Sequence, residues 1–208
     1  MIRRVTLAGV CVLGVVVPAV AQQPDMAAMQ KWAAVKRVSW HIVGKYDGDT
    51  SVTSDGQGRG RVTDTIEIDV VVDVQNNNAI VGTPAIKNAP ATVSNLHDPE
   101  PKCLAPTLNG AFDLTLDSVT PGQIGGLHLN MTTSYPEAKV SQSCSSTKLA
   151  PAKKETDEKE FQLPQPTLLA MGISNESLKI SPDKKSIIVK GSGSDFRDWT
   201  WTLTPTPR

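Results

Sequence analysis

The sequence predicts a mainly β protein: an antiparallel β-sandwich or β-barrel of about eight or nine strands, with a short N-terminal helix. Three observations predict it. Apolar and polar residues alternate with a period of two through most of the chain after Val35. Clusters of Gly, Pro, Asn and Asp separate the alternating stretches. Only residues 22–34 keep helical spacing, with Asp25 placed to cap a face of Met26, Met29, Trp32 and Ala33.

Residues 1–21 read as a cleaved secretory signal peptide. Arg3 and Arg4 precede an uncharged apolar run from Val5 to Val17, Pro18 ends it, and Ala19-Val20-Ala21 offers a small-x-small cleavage site. The run is shorter than the roughly 20 residues that span a bilayer. The expected product is therefore exported, periplasmic or extracellular, with no membrane span after cleavage. The whole chain carries 21 basic and 21 acidic residues. Losing Arg3 and Arg4 leaves a slight acidic excess, which gives no electrostatic handle on nucleic acid.

Residues 22–34 are expected as a helix or arm, and residues 35–208 as a single β domain. Val38, Trp40 and Ile42 alternate with Ser39, His41 and Val43, and the strand ends at Tyr46. Turn-rich stretches follow at Asp47-Gly48-Asp49 and at Ser54 to Gly58. The clearest strand places Ile66, Ile68, Val70, Val72 and Val74 on one face and Thr65, Glu67, Asp69 and Asp73 on the other. One dry face and one wet face mark an antiparallel sheet. Asn76-Asn77-Asn78 turns the chain, and residues 79–86 return as a partner whose pairing Pro84 limits.

Residues 88–110 read as a long loop with a short strand near Thr92 to Leu96, because Pro99, Pro101 and Pro106 exclude a central strand. Phe112, Leu114 and Leu116 begin the next strand. After Pro121-Gly122, Leu127, Leu129 and Met131 begin another, and 139–144 make a weaker one. Residues 145–166 are expected as a charged surface loop, given Lys153 to Glu160 between prolines. The residues after it are too few to hold a core alone and must pair back into the same sheets. They read as strands at 178–180 and 187–189 and a last strand carrying Trp199, Trp201 and Leu203. A membrane barrel is not expected, because aromatic girdles are lacking in a chain that is 4% aromatic.

Removing the signal leaves Cys103 and Cys144, which in an oxidising compartment predict a disulfide. Chain entropy sets its worth at about 4 kcal/mol as an upper guide.

No catalytic constellation emerges. Gly191-Ser192-Gly193-Ser194 breaks the nucleophile-elbow frame. His41, His97 and His128 stand in separate segments, so no metal is expected. Asp47, Asp49 and Asp55 match neither an EF-hand nor a nonapeptide repeat, so turn composition explains them. No cofactor is expected. Glu67 and Asp69 stand two apart on one strand face, at roughly the spacing of an inverting glycosidase pair; a solvated strand face is the plainer reading.

Trp199 and Trp201 are the ligand-binding candidates. Their first reading is the core face of the last strand with Phe196 and Leu203, because an aromatic-poor chain must find bulk somewhere. Their second is a flat platform for a sugar ring or an apolar ligand. The expected function is an exported non-catalytic β-domain binding a protein, glycan or apolar partner. The alternatives are a cell-envelope structural or assembly accessory acting by strand addition, and a hydrolase built from Glu67 and Asp69.

Overall fold

The structure is a computed structural model and describes residues 24–100, 102–142, 144, 146–191 and 198–208. The expected signal peptide, Ser192 to Ser194 and Phe196 lie outside these residues.

Alternation becomes architecture first in one long hairpin. Strands β1 (Arg37–Ser51) and β2 (Arg59–Asp73) pair antiparallel over 15 residues each, from Arg37↔Asp73 to Ser51↔Arg59. Val38, Trp40 and Ile42 on β1 and Ile66, Ile68, Val70 and Val72 on β2 point the same way and are buried. The connecting turn is closed by its own side chains. The Thr53 hydroxyl accepts from the Gly58 N–H (2.8 Å) and the Asp55 carboxylate accepts from the Gln57 N–H (3.1 Å). Gly56 occupies the left-handed region there, at φ 76°.

Three elements share the far edge of β2: β3 (Ala79–Ile80), β4 (Ala85–Asn88) and β5 (Thr92–His97). Pro84 falls between the first two. On the other side of β1 the sheet continues through β14 (Trp199–Pro207), β13 (Ile187–Lys190) and β12 (Leu178–Ile180). The C-terminal residues do pair back, as their inability to hold a core alone requires.

A second sheet, ordered β11-β8-β7, covers the inner face of the first. It comprises β7 (Asp113–Pro121), β8 (Gly126–Tyr135) and β11 (Lys153–Gln162). Its Leu116, Val119, Leu127, Leu129, Met131 and Phe161 meet the inward residues of β1, β2, β13 and β14 in one core. The Asn88 side chain stitches the layers along one side, donating to the Leu116 carbonyl (3.1 Å) and accepting from the Leu116 N–H (2.9 Å). Among the described residues no strand pairing joins the two sheets, so they form no closed barrel and stack in a sandwich-like arrangement.

A third small sheet, β10-β9-β6, holds β6 (Thr107–Asn109), β9 (Glu137–Gln142) and β10 (Ser146–Ala150). It prolongs the second. Tyr135 faces Lys153 and Ala138 faces Ala150, so the register is conserved across the break. Pro136 and Pro151 sit in that break, where a ladder cannot use their missing N–H groups.

Helix α1 (Met26–Ala33) forms where expected, and the Asp25 carboxylate accepts from the Ala28 N–H at 3.0 Å. A four-residue helix, α2 (Leu168–Met171), was not read from the sequence.

Three expectations are corrected. β1 does not end in a turn at Asp47-Gly48-Asp49 but runs through it to Ser51, where Asp47 and Asp49 pair with Arg61 and Arg59 of β2. Fourteen strands, not eight or nine, occur among the described residues, because prolines and the divided edge of β2 split elements into short pieces. Residues 145–166 are not a charged surface loop: most of them form β10 and β11. An edge strand needs only occasional apolar residues, and here charges satisfy one another along one face. Lys153 pairs with Glu155 (2.6 Å) and Lys159 with Asp157 (2.8 Å), both two residues apart. Charges on an exposed edge also discourage sheet-to-sheet aggregation.

Cys103 and Cys144 are bonded, with Cα atoms 4.8 Å apart, tying the chain after β5 to the end of the β9–β10 hairpin. Ser141 donates to Asp98 beside the bridge and holds that carboxyl below its ordinary range, with the Glu100 N–H assisting. The bridge lies away from the main core, so its effect is local. In a Cys103→Ser/Cys144→Ser variant, amide exchange in β6, β9 and β10 should quicken about tenfold or more. Exchange of Ile42, Ile68 and Leu203 should hold; equal acceleration everywhere would show that the bridge supports the whole domain.

Candidate functional site

The inner face of the sandwich changes chemistry halfway along. On β8 the inward positions run Leu127, Leu129, Met131 and then Thr133, Tyr135. On β11 they run Phe161 and then Lys159, Asp157. On β1, Tyr46 and Thr50 follow the apolar set beyond Gly44. The two layers do not close where this happens. They enclose a cleft of about 430 Å³, lined by these residues together with Leu114, Asp198 and Trp199.

Its base is aromatic and sulfur-bearing. Trp199 is 5% exposed and stacks on Trp201 with centroids 5.0 Å apart and planes 16° apart. Tyr46 meets Trp199 edge-on at 5.4 Å. Phe112 braces Tyr135 from below, edge-on at 5.7 Å.

Its walls carry the polar groups. The Tyr135 hydroxyl donates to Glu155 Oε2 at 3.3 Å. Burial pushes the Tyr135 phenol above its ordinary range, and Glu155 adds to this. Burial also raises the Tyr46 phenol, against a hydrogen bond from Thr50, while Asp198 and Asp49 push it further up. Both phenols thus stay protonated and able to donate. Lys159 is the informative residue. Its side chain is only 18% exposed, yet it lies in the cleft with Nζ on Asp157 Oδ2. A covered ammonium held by one exposed carboxylate keeps donor capacity for a ligand.

The two predicted tryptophans therefore part company. Trp199 reaches the cleft. Trp201, 1% exposed, is sealed between Trp199 and Phe161, the latter at 5.0 Å. Trp201 and Leu203 serve the core reading of the last strand.

The other candidates do not converge. Glu67 and Asp69 stand on the open outer face of the first sheet, Glu67 against Lys87 (3.3 Å) and Asp69 against His41 (2.8 Å). His97 lies 3.8 Å from Asp49, and His128 pairs with Glu158 on the second sheet. Among the described residues, Glu100, Cys103 and Cys144 alone gather three metal-ligating side chains, and there the disulfide removes the thiolates that a metal needs.

Tyr46, Tyr135, Asp157, Lys159 and Asp198 were not singled out by sequence. The signal for the first four was the continuation of an inward series into polar residues, visible only once each series is assigned a face. The chain matches no family model, no curated protein and no solved structure.

Proposed function

We propose that this chain is an exported, non-catalytic binding domain whose cleft between the sheets takes the end of a glycan. One observation carries the reading: interior positions of a sandwich, which packing would fill with apolar side chains, are polar here and surround unfilled space. A cleft of this volume falls within the range of small-ligand sites. An aromatic base bordered by hydroxyl, carboxylate and ammonium groups suits a ring that is apolar on its faces and hydroxylated around its edge. Polar walls disfavour a purely apolar ligand. The signal-like residues 1–21 and the disulfide support export. No helix among the described residues is long and apolar enough to cross a membrane.

Calorimetric titration with a panel of defined disaccharides tests the reading. At least one should bind, and Tyr135→Phe and Lys159→Met should each weaken it about fivefold or more, the worth of one hydrogen bond. If no member of the panel binds, or if binding ignores both substitutions, the cleft is not a glycan site.

A further inference from the structure

At the opposite end of the sandwich a second cavity of about 520 Å³ lies between α1, the start of β1, the turn after β2 and residues 163–167. Trp32, Val35, Val38, Trp40 and Leu163 form its interior. Val38 and Trp40 belong to the main core, so the cavity reaches down to it. In a chain with 20% charged residues, no lining residue is charged. Its polar members are amides and a hydroxyl. Gln75, Asn77 and Gln165 hold no side-chain hydrogen bond among the described residues and so have free donors and acceptors.

The cover is lightly fastened. None of the eight residues of α1 is fully buried, and its start is held to α2 by the Asp25 N–H on the Ala170 carbonyl at 3.0 Å. Trp32 is the side chain that α1 commits to the cavity. A helix with so little buried surface opens at small cost.

We infer that this cavity binds an uncharged amphiphile, its hydrocarbon tail between Trp32, Trp40 and Leu163 and its hydroxylated head on the amides of Gln75, Asn77 and Gln165. The lack of charge selects the class. An anionic lipid would find no counter-charge among the lining residues to offset the partial desolvation of its carboxylate where the head meets the rim. A neutral head finds partners for its hydroxyls. This site is separate from the glycan cleft and does not depend on it.

Calorimetry with 1-monolauroylglycerol and with laurate, both below micelle-forming concentrations, tests the inference on the full domain. Monolauroylglycerol should bind, and laurate at least tenfold more weakly. Val74 lines the cavity and is 39% exposed, so Val74→Glu is tolerated by the fold. It should weaken monolauroylglycerol at least tenfold, as should the filling variant Ala33→Phe, whereas Tyr135→Phe in the cleft should not alter it. The inference is overturned by absence of monolauroylglycerol binding, by equal affinity for laurate, or by binding that survives both cavity variants. Loss of binding in Tyr135→Phe alone would transfer the ligand to the cleft and also overturn it.

Discussion

Gly44→Ala should destabilise the domain by about 3 kcal/mol, although alanine is ordinarily the better strand residue. Gly44 faces Trp201 directly across the β1–β14 ladder. A methyl group at Gly44 would fall 2.8 Å or less from three carbons of the indole ring. The ring cannot withdraw, because Trp199 stacks on it and Phe161 flanks it. Either the backbone of β1 shifts or the indole leaves the core. Trp201→Ala should cost about 4 kcal/mol through the cavity it leaves. The decisive measurement is the double variant. Once the indole is gone, the methyl has room, so Gly44→Ala/Trp201→Ala should be no less stable in guanidinium than Trp201→Ala. Additive losses would show that glycine is needed there for some reason other than the ring.

Asp64→Asn should stabilise the protein at pH 7.5 by about 3 kcal/mol and leave it unchanged near pH 3.5. Asp64 points inward from β2, opposite Tyr46, and is 5% exposed. Oδ1 accepts the Thr65 N–H at 2.6 Å, while Oδ2 has no hydrogen-bond partner. Burial raises its carboxyl to about 6, and the neighbouring Asp113 carboxylate adds to the rise. The folded state therefore holds a proton that the unfolded chain releases near its ordinary value of 3.8. Its contribution to stability is full below that value and is lost as pH climbs to about 6. Asparagine keeps the acceptor for Thr65 and carries no charge. Asp98, Glu155 and Asp183, whose carboxyls are held below the ordinary range by hydrogen bonds, give the opposite slope at lower pH. They cancel when variant and parent are compared at each pH. A difference between the two that does not change from pH 4 to 7.5 would rule out a buried proton at Asp64.

Much of the first sheet was legible because its signal is local. Ile66, Ile68, Val70 and Val72 alternate with outward residues of which only Val71 is apolar, and their burial follows from spacing; Val74, expected on the same face, lies past the end of β2 and is exposed. Trp201 and Leu203 announce the last strand in the same way. Cys103 and Cys144 were paired by arithmetic, being the two cysteines outside the expected signal peptide. β11 was missed because an edge strand shows almost no apolar periodicity: of its ten residues only Phe161 is buried. The cleft was missed for a different reason. Tyr46, Tyr135, Lys159 and Trp199 come from four strands, and nothing in a linear sequence states that the two sheets diverge where those strands carry polar groups.

The matched register of β8–β9 against β10–β11 has a bearing on how this gene can change length. Because facing residues keep step across Pro136 and Pro151, a one-residue indel in one arm alone would transpose inside and outside for every position beyond it, moving His128 to the place of Leu129 or Lys159 to that of Glu160. Compensated changes, equal in both arms, leave both the alternation and the facing pairs intact. Variants of this ribbon should therefore gain or lose residues in facing pairs, near the bend and at the bridged end, where few side chains would have to trade neighbours.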